Sequence, residues 1–198
     1  MKRIGVLLAA GRSTRMGRPK QLLPWPPNTE NSKPLVAAAF DAIARVCDEM
    51  FVVVGEEADA VLSALKGRTF RAIDVGVPGE MIRSVRLGLT SASQLDSSAS
   101  VLLHPADHPE VRRDILESMI CRAAEQPDCA IVPTYRGKGG HPALIPASLV
   151  EDVISHSGAG GLRQFWLDHA DRCVRLAVDD PGVVFDVDTQ SDYDFRTG

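Results

Sequence analysis

Between Leu8 and Lys20 the chain carries its densest set of groups able to bind a charged ligand: Leu8-Ala9-Ala10-Gly11-Arg12-Ser13-Thr14-Arg15-Met16-Gly17-Arg18-Pro19-Lys20. The apolar run from Ile4 to Ala9 reads as a buried parallel strand. Two glycines, two hydroxyls, three arginines and a lysine follow it. Glycines let backbone N–H groups approach a ligand closely, and concentrated positive charge suits a polyphosphate. The loop fits neither standard phosphate motif. A dinucleotide fingerprint needs G-x-G-x-x-G, and Ser13 stands where its second glycine belongs. A P-loop needs G-x-x-x-x-G-K-[ST]. Here five residues separate Gly11 from Gly17, the lysine comes three residues later behind Pro19, and Gln21 replaces the magnesium-binding hydroxyl.

Two acidic segments also follow apolar runs. Asp107 lies in His104-Pro105-Ala106-Asp107-His108-Pro109 behind Val101-Leu102-Leu103, and Asp186-Val187-Asp188-Thr189 lies behind Val183-Val184-Phe185. An EF-hand reading of the second segment fails, because Ser191 and Thr197 stand where it needs glycine and glutamate. Helix capping competes with metal binding there: Thr189 or Asp188 could cap the last helical turn. His104 and His108 are spaced like a zinc pair, but Pro105 and Pro109 forbid the helix that would align them.

These groups need a frame. Leu35 to Glu49 has helical apolar spacing, Met50 to Val54 reads as a strand, Ala58 to Lys66 as a helix and Phe70 to Val75 as a strand. A helix is predicted over Met81 to Leu95, a strand over Val101 to Leu103 and a helix over Val111 to Glu125. Ala130 to Val132 and Ala143 to Ile145 read as strands, with Arg136 to Gly140 a loop between them. Ala147 to Ser155 and Leu162 to His169 read as helices, Cys173 to Val178 and Val183 to Phe185 as strands, and Gln190 onward as a helical turn. Pro26 to Pro34 reads as an exposed polar excursion. Strands alternating with helices predict a mostly parallel sheet covered on both faces, a three-layer α/β/α sandwich. The late strands are short and close together, so part of the sheet is expected to run antiparallel. Neither a repeat nor a linker divides residues 1–198, so one domain is expected.

Net charge is −4, with 22 basic against 26 acidic residues, which argues against nucleic acid or an anionic membrane as the main partner. The basic loop is a local patch suited to a small anion. No apolar run approaches the roughly 20 residues of a membrane span. Met1-Lys2-Arg3 leads into a strand without an export signal, and Cys47, Cys121, Cys129 and Cys173 form no C-x-x-C pair. A cytoplasmic protein with reduced thiols is expected.

The loop pattern L-A-A-G-x-S-x-R-M-G-x-P-K resembles the signature of nucleotidyltransferases with a nucleotide-diphospho-sugar transferase-like fold. Gln21-Leu22-Leu23-Pro24 extends the likeness to the MobA-like family, toward the molybdenum cofactor cytidylyltransferases. The resemblance implies that the segment Leu8, Ala9, Ala10 and Gly11, through backbone amides near Ala10 and Gly11, holds a nucleoside triphosphate together with the side chains of Arg15 and Lys20. Ser13 either bonds a phosphate or forms the turn. Arg12 and Arg18 either assist or are solvated. Asp107 matches the family's magnesium-binding aspartate in a D-x-P turn, and Asp188 matches the second residue of its late D-x-D-T segment. Magnesium takes one or two carboxylates plus phosphate oxygens, so Asp107 and Asp188 suffice, with Asp186 as a neighbour. Gly79-Glu80-Met81-Ile82-Arg83-Ser84-Val85-Arg86-Leu87-Gly88-Leu89 resembles a family helix start beside the base, with Gly88 a close-packing position and Ser84 either a base or ribose contact or one small polar residue of an ordinary amphipathic helix. Gly140-His141-Pro142 resembles its acceptor-side G-H-P, where His141 bonds an acceptor phosphate or pterin, or is structural.

The implied reaction is transfer of a nucleoside monophosphate to a phosphorylated acceptor with release of pyrophosphate, catalysed by Arg15, Lys20 and Asp107. Relatives using guanine triphosphate usually read L-A-G-G and then G-x-D-K. Ala10 and Arg18-Pro19-Lys20 are similar to the cytidine-using branch, so CTP and molybdopterin or its molybdenum form are the expected substrates. A transient contact with a molybdoenzyme or its chaperone is also expected. The chain departs from that branch at Ser155 to Gly160, which lacks the aspartate and arginine of G-D-x-G-A-R, and at Pro26 to Lys33, which looks inserted. Both departures bear on the acceptor. A sugar phosphate acceptor, or a nucleotide-binding accessory protein without transferase activity, stays open on sequence.

Overall fold

The structure, a computed structural model, describes residues 2–11, 18–76 and 80–195. Its centre is β1 (Arg3–Leu8), buried on both faces. Ile4, Val6 and Leu8 pack on one side of the sheet, and Leu7 and Ala9 on the other, as a strand's twofold alternation requires. After a 3-10 turn at Lys20–Leu22 come β2 (Pro24–Trp25), β3 (Lys33–Pro34), α1 (Leu35–Ala44), β4 (Glu49–Val54), α2 (Ala58–Ala64), β5 (Arg71–Asp74) and α3 (Met81–Leu95). Next in the chain are β6 (Ser100–Pro105), α4 (Arg113–Glu125), β7 (Ala130–Tyr135), β8 (Lys138–Gly139), β9 (Ala143–Ile145), α5 (Ala147–Ser155), α6 (Gly161–Asp168), β10 (Cys173–Ala177) and α7 (Gln190–Phe195).

The main sheet runs β10-β7-β9-β6-β1-β4-β5, with β8 paired to β7. β1 lies parallel between β4 and β6, and β9 is antiparallel to both β6 and β7. One core joins the sheet to α3, α5 and α6, and a second joins it to α1, α2 and α4. This is the three-layer sandwich the alternation predicts, with the expected antiparallel part. The four cysteines are free thiols. Among the described residues no helix is long and apolar enough to cross a membrane.

Two local expectations need correcting. The helix expected to reach Glu49 stops at Ala44. The start of β1 draws residues 46–49 away from it: Arg3 Nε donates to Val46 O at 2.7 Å, Asp48 N–H to Arg3 O at 2.8 Å, and Glu49 stands in register with Ile4. The strand expected at Val183 to Phe185 is instead a 3-10 turn over Pro181–Val184. Asp180 Oδ1 accepts from Gly182 N–H at 2.8 Å and caps this turn. A Cβ on Gly182 would lie 2.1 Å from Glu110 O, so the turn sits directly on neighbouring backbone.

The excursion at 26–34 is largely exposed, as expected, but the chain at its base is buried. Its ends pair as the antiparallel ribbon of β2 and β3. Leu23, Trp25, Leu35, Ala38, Val187 and Tyr193 form a separate buried cluster under it. Tyr193 also donates its hydroxyl to Pro24 O at 2.8 Å. The excursion therefore has a buried root, and that root grips the segment around Asp188.

Candidate active site

The parallel strands end together, and the site forms beyond their carboxyl ends, where open α/β sheets place ligands. The last sheet bonds run from Ala9 N–H to Val53 O at 2.8 Å and from Ala106 N–H to Leu8 O at 3.0 Å. Leu8 and Ala9 thus belong to the sheet's end, while Ala10 and Gly11 lie beyond it. Gly55 admits Ala10 closely, since a Cβ there would stand 3.2 Å from Ala10 O. Residues 12–17 are outside the described residues, so the expectations at Ser13 and Arg15 have no structural counterpart here. The loop's two stems are tied together: buried Gln21 donates from Nε2 to Gly11 O at 2.6 Å.

The 3-10 turn after this loop aims Lys20 inward. Its Nζ stands 2.8 Å from Asp107 Oδ2 and 2.7 Å from Asp188 Oδ1. The ammonium side chain is 11% exposed, against 20% and 32% for the two carboxylates, so the acids keep the face open to solvent. Burial alone would lower the Lys20 pKa, but the charges and hydrogen bonds of Asp107 and Asp188 outweigh it and raise the pKa above the ordinary lysine value. For Asp107, burial acts to raise the pKa. The His108 hydrogen bond and the Lys20 charge win, and hold it well below the carboxylate range. The centre is therefore an ammonium between two acids, at least one of them firmly ionised.

Backbone bonds fix these partners. Val187 N–H donates to Asp107 O at 3.0 Å, which lays the late segment along the end of β6. The capping question is decided by Thr189: its Oγ1 accepts from Asp192 N–H at 3.2 Å, and Asp192 Oδ2 accepts from Thr189 N–H at 2.7 Å. This reciprocal capping box starts α7 and leaves the Asp188 carboxylate to face Lys20.

Gly140-His141-Pro142 comes to the same corner. His141 N–H donates to Val183 O at 2.7 Å, and a Cβ on Gly140 would stand 2.3 Å from that oxygen. The His141 ring meets His108 at 4.7 Å between centroids, and its Nδ1 is buried without a hydrogen-bond partner among the described residues. Burial, then the charge of His108, pushes its pKa down to about 3, so at neutral pH it is an uncharged imidazole. Ser84 lies half-buried in the first turns of α3. One helical turn on, a Cβ at Gly88 would come 2.5 Å from Val6 Cγ1, so Gly88 is the close-packing position the pattern suggested.

The chain matches the MobA-like NTP transferase domain over residues 5–173. It belongs to this family. The MobA-like transferase is therefore a nucleotidyltransferase, and its sandwich is the nucleotide-diphospho-sugar transferase fold. It is 22% identical to the molybdenum cofactor cytidylyltransferase of Escherichia coli K12 over 190 residues, covering 95% of this chain and 92% of that one. It is 33% identical to a probable molybdenum cofactor guanylyltransferase of Rhodopirellula baltica over 125 residues, covering 63% of this chain and 57% of the relative. Among solved structures, Rv0371c from Mycobacterium tuberculosis H37Rv superposes with a TM-score of 0.80 at 28% identity, covering 98% of this chain and 96% of that one. A complex of Rv0371c with manganese superposes at 0.76 and 27%, covering 99% and 98%.

The family match ends at residue 173, before Asp188, so it is the fold that brings this second acid to Lys20. Sequence reasoning missed His108 as the partner of Asp107, Gln21 as the tie across the loop, and the aromatic root of the excursion. The one usable signal is apolar: Trp25 amid prolines, and Tyr193 in a mostly polar tail.

Proposed function

We propose that this transferase moves CMP from CTP to a phosphorylated acceptor, molybdopterin or its molybdenum form, with magnesium and release of pyrophosphate. The observation that carries the reading is the Lys20 ammonium between Asp107 and Asp188 at the end of β1 and β6. Two carboxylate oxygens from separate segments already converge on a cation, which is the donor chemistry a hard divalent ion needs. Asp107 and Asp188 would hold that ion, which would neutralise charge on the triphosphate as pyrophosphate leaves. The manganese complex of Rv0371c supports a divalent ion in such a fold.

The acceptor's phosphate oxygen attacks the α-phosphorus in line, the bond to pyrophosphate breaks, and no protein nucleophile is required. Lys20 adds fixed positive charge where negative charge accumulates. Arg15 and the amides at Ala10 and Gly11 are proposed to complete the triphosphate cradle, with Ser13 a further phosphate contact, Ser84 beside the base and His141 on the acceptor side. At neutral pH His141 would serve as an uncharged hydrogen-bonding group, not a cation. Curated relatives of both nucleotide types resemble the chain. Ala10 and Arg18-Pro19-Lys20 favour cytidine.

The test is pyrophosphate release with magnesium, molybdopterin cofactor and each of the four nucleoside triphosphates in turn. Release with CTP alone is expected. Release with GTP alone would overturn the nucleotide assignment. Tight triphosphate binding without release would move the search to other acceptors, sugar phosphates first.

A further inference from the structure

The proposed mechanism makes no use of His108, yet His108 holds the other oxygen of Asp107. Its Nδ1 lies 2.8 Å from Asp107 Oδ1, while Oδ2 faces Lys20. Consecutive side chains of an extended strand point apart. Here His108 N–H donates to Pro105 O at 3.3 Å, and that turn brings the two side chains to one side. An ionised carboxylate only accepts, so Nδ1 carries the hydrogen.

His108 is itself held from two directions. Its carbonyl receives a hydrogen bond from His104 Nε2 at 2.7 Å, and its ring meets the His141 ring nearly at right angles, at 76°. His104 is fully buried, and burial pushes its pKa down to about 3. Uncharged and facing a carbonyl, it must donate from Nε2, which fixes its tautomer as well. Its Nδ1 has no hydrogen-bond partner among the described residues.

We propose that His108 is a positioning residue: by donating to Asp107 Oδ1 it fixes the carboxylate plane, so that Oδ2 alone is offered to the cations of the cleft. The proposal rests on the reading of Asp107 as a metal carboxylate. It accords with the general rule that ligating carboxylates are themselves hydrogen-bonded, and that losing such a partner weakens metal affinity roughly 10–100-fold.

The experiment is manganese binding to the whole protein with CTP present, monitored by electron paramagnetic resonance of the free ion, in wild type, His108→Ala, His108→Asn and His108→Gln. Asparagine places an N–H near the position of Nδ1, whereas glutamine reaches to the position of Nε2. Alanine and glutamine are expected to weaken manganese binding roughly 10–100-fold, and asparagine to restore most of it. Rescue by glutamine equal to that by asparagine, or unchanged binding in the alanine variant, overturns the proposal while leaving the metal site standing. Should the alanine variant fail to fold, the asparagine–glutamine contrast decides. Wild-type protein that takes up no manganese removes the metal reading of Asp107, and this assignment with it.

Discussion

The corner around Lys20 and the flank around Ser84 lie at the same end of the sheet but are built differently. At the corner, Asp107, Asp188 and Lys20 come from three distant segments, and each is fixed by at least two bonds. Asp107 has His108 and Lys20 on its oxygens and Val187 N–H on its carbonyl, while the chain on either side of Asp188 is held by Thr189, Asp192 and the Trp25–Tyr193 cluster. On the flank, α3 is anchored by Gly88 against Val6, but Ser84 stands half-buried ahead of that anchor. The adjoining loop turns through left-handed glycines at Gly158, Gly160 and Gly161, and Arg86 reaches it by a hydrogen bond to the His156 carbonyl. Over-determination of the corner suits the charge-stabilising role proposed for it, because preorganised groups need no rearrangement. The looser flank suits the proposed contact with the base, which can vary without disturbing the corner.

Lys20→Met separates the two regions most strongly. It should lower turnover roughly a hundred- to a thousandfold, the scale of losing one preorganised charge stabiliser. Nucleotide-free manganese affinity should rise, because the ammonium no longer occupies Asp107 and Asp188. Pyrophosphate release and metal titration on one preparation give both numbers. Full turnover in the variant would mean that the corner is structural.

A second contrast divides the corner internally. Asp188→Asn should cost turnover on the scale of Lys20→Met, with little change in melting temperature. Thr189→Ala removes the cap of α7, worth about 1 kcal/mol, and should lower the melting temperature with a smaller loss of rate. Equal rate losses would show that Asp188 acts only through the cap.

These distinctions explain what the sequence could and could not reveal. Lys20, Asp107 and Asp188 were legible because each follows an apolar run or sits in a dense motif. The resemblance implies that Asp107 and Asp188 share a site, but nothing in the sequence places Lys20 between them: Lys20 and Asp188 are 168 residues apart, and no local pattern encodes that bond. The helix expected to reach Glu49 was misjudged because apolar periodicity says nothing of β1 recruiting residues 46–49 into its own pairing. The strand expected at 183–185 was misjudged because Val-Val-Phe favours strand, while Pro181, the Asp180 cap and the contact with Glu110 O impose a turn. Pro26 to Pro34 is the largely exposed excursion its polar composition predicts, whereas the buried cluster at its base depends on Tyr193 at the far end of the chain.

The histidines beneath the corner give a pH signature. His104 and His141 titrate near 3 in the folded protein and near 6.5 when unfolded. Between those values the unfolded chain binds more protons, so stability rises with pH. Their contribution is complete above about pH 6.5 and is lost as pH falls toward 3. Asp107, also depressed, keeps its contribution above the ordinary carboxylate range and loses it as pH falls through and below that range. Unfolding free energies from urea titrations should therefore fall from pH 7 to pH 5, by on the order of 1 kcal/mol per pH unit for each histidine. His104→Gln should flatten the slope, and an unchanged slope would mean that the His104 ring is not held neutral by burial.

The smallest effect is expected on the flank. Ser84→Ala removes one hydroxyl from a helix whose packing depends on Gly88 and the apolar positions Ile82, Val85 and Leu89. Stability should hardly change. If Ser84 touches the base or ribose, KM for the nucleotide should rise less than tenfold, as for one neutral hydrogen bond of about 1 kcal/mol, with kcat nearly constant, because a contact made equally in ground and transition states affects binding alone. A fall in kcat at constant KM would place Ser84 among the charge-stabilising groups. The division between a rigid chemical corner and a permissive specificity flank would then have to be redrawn through α3 itself.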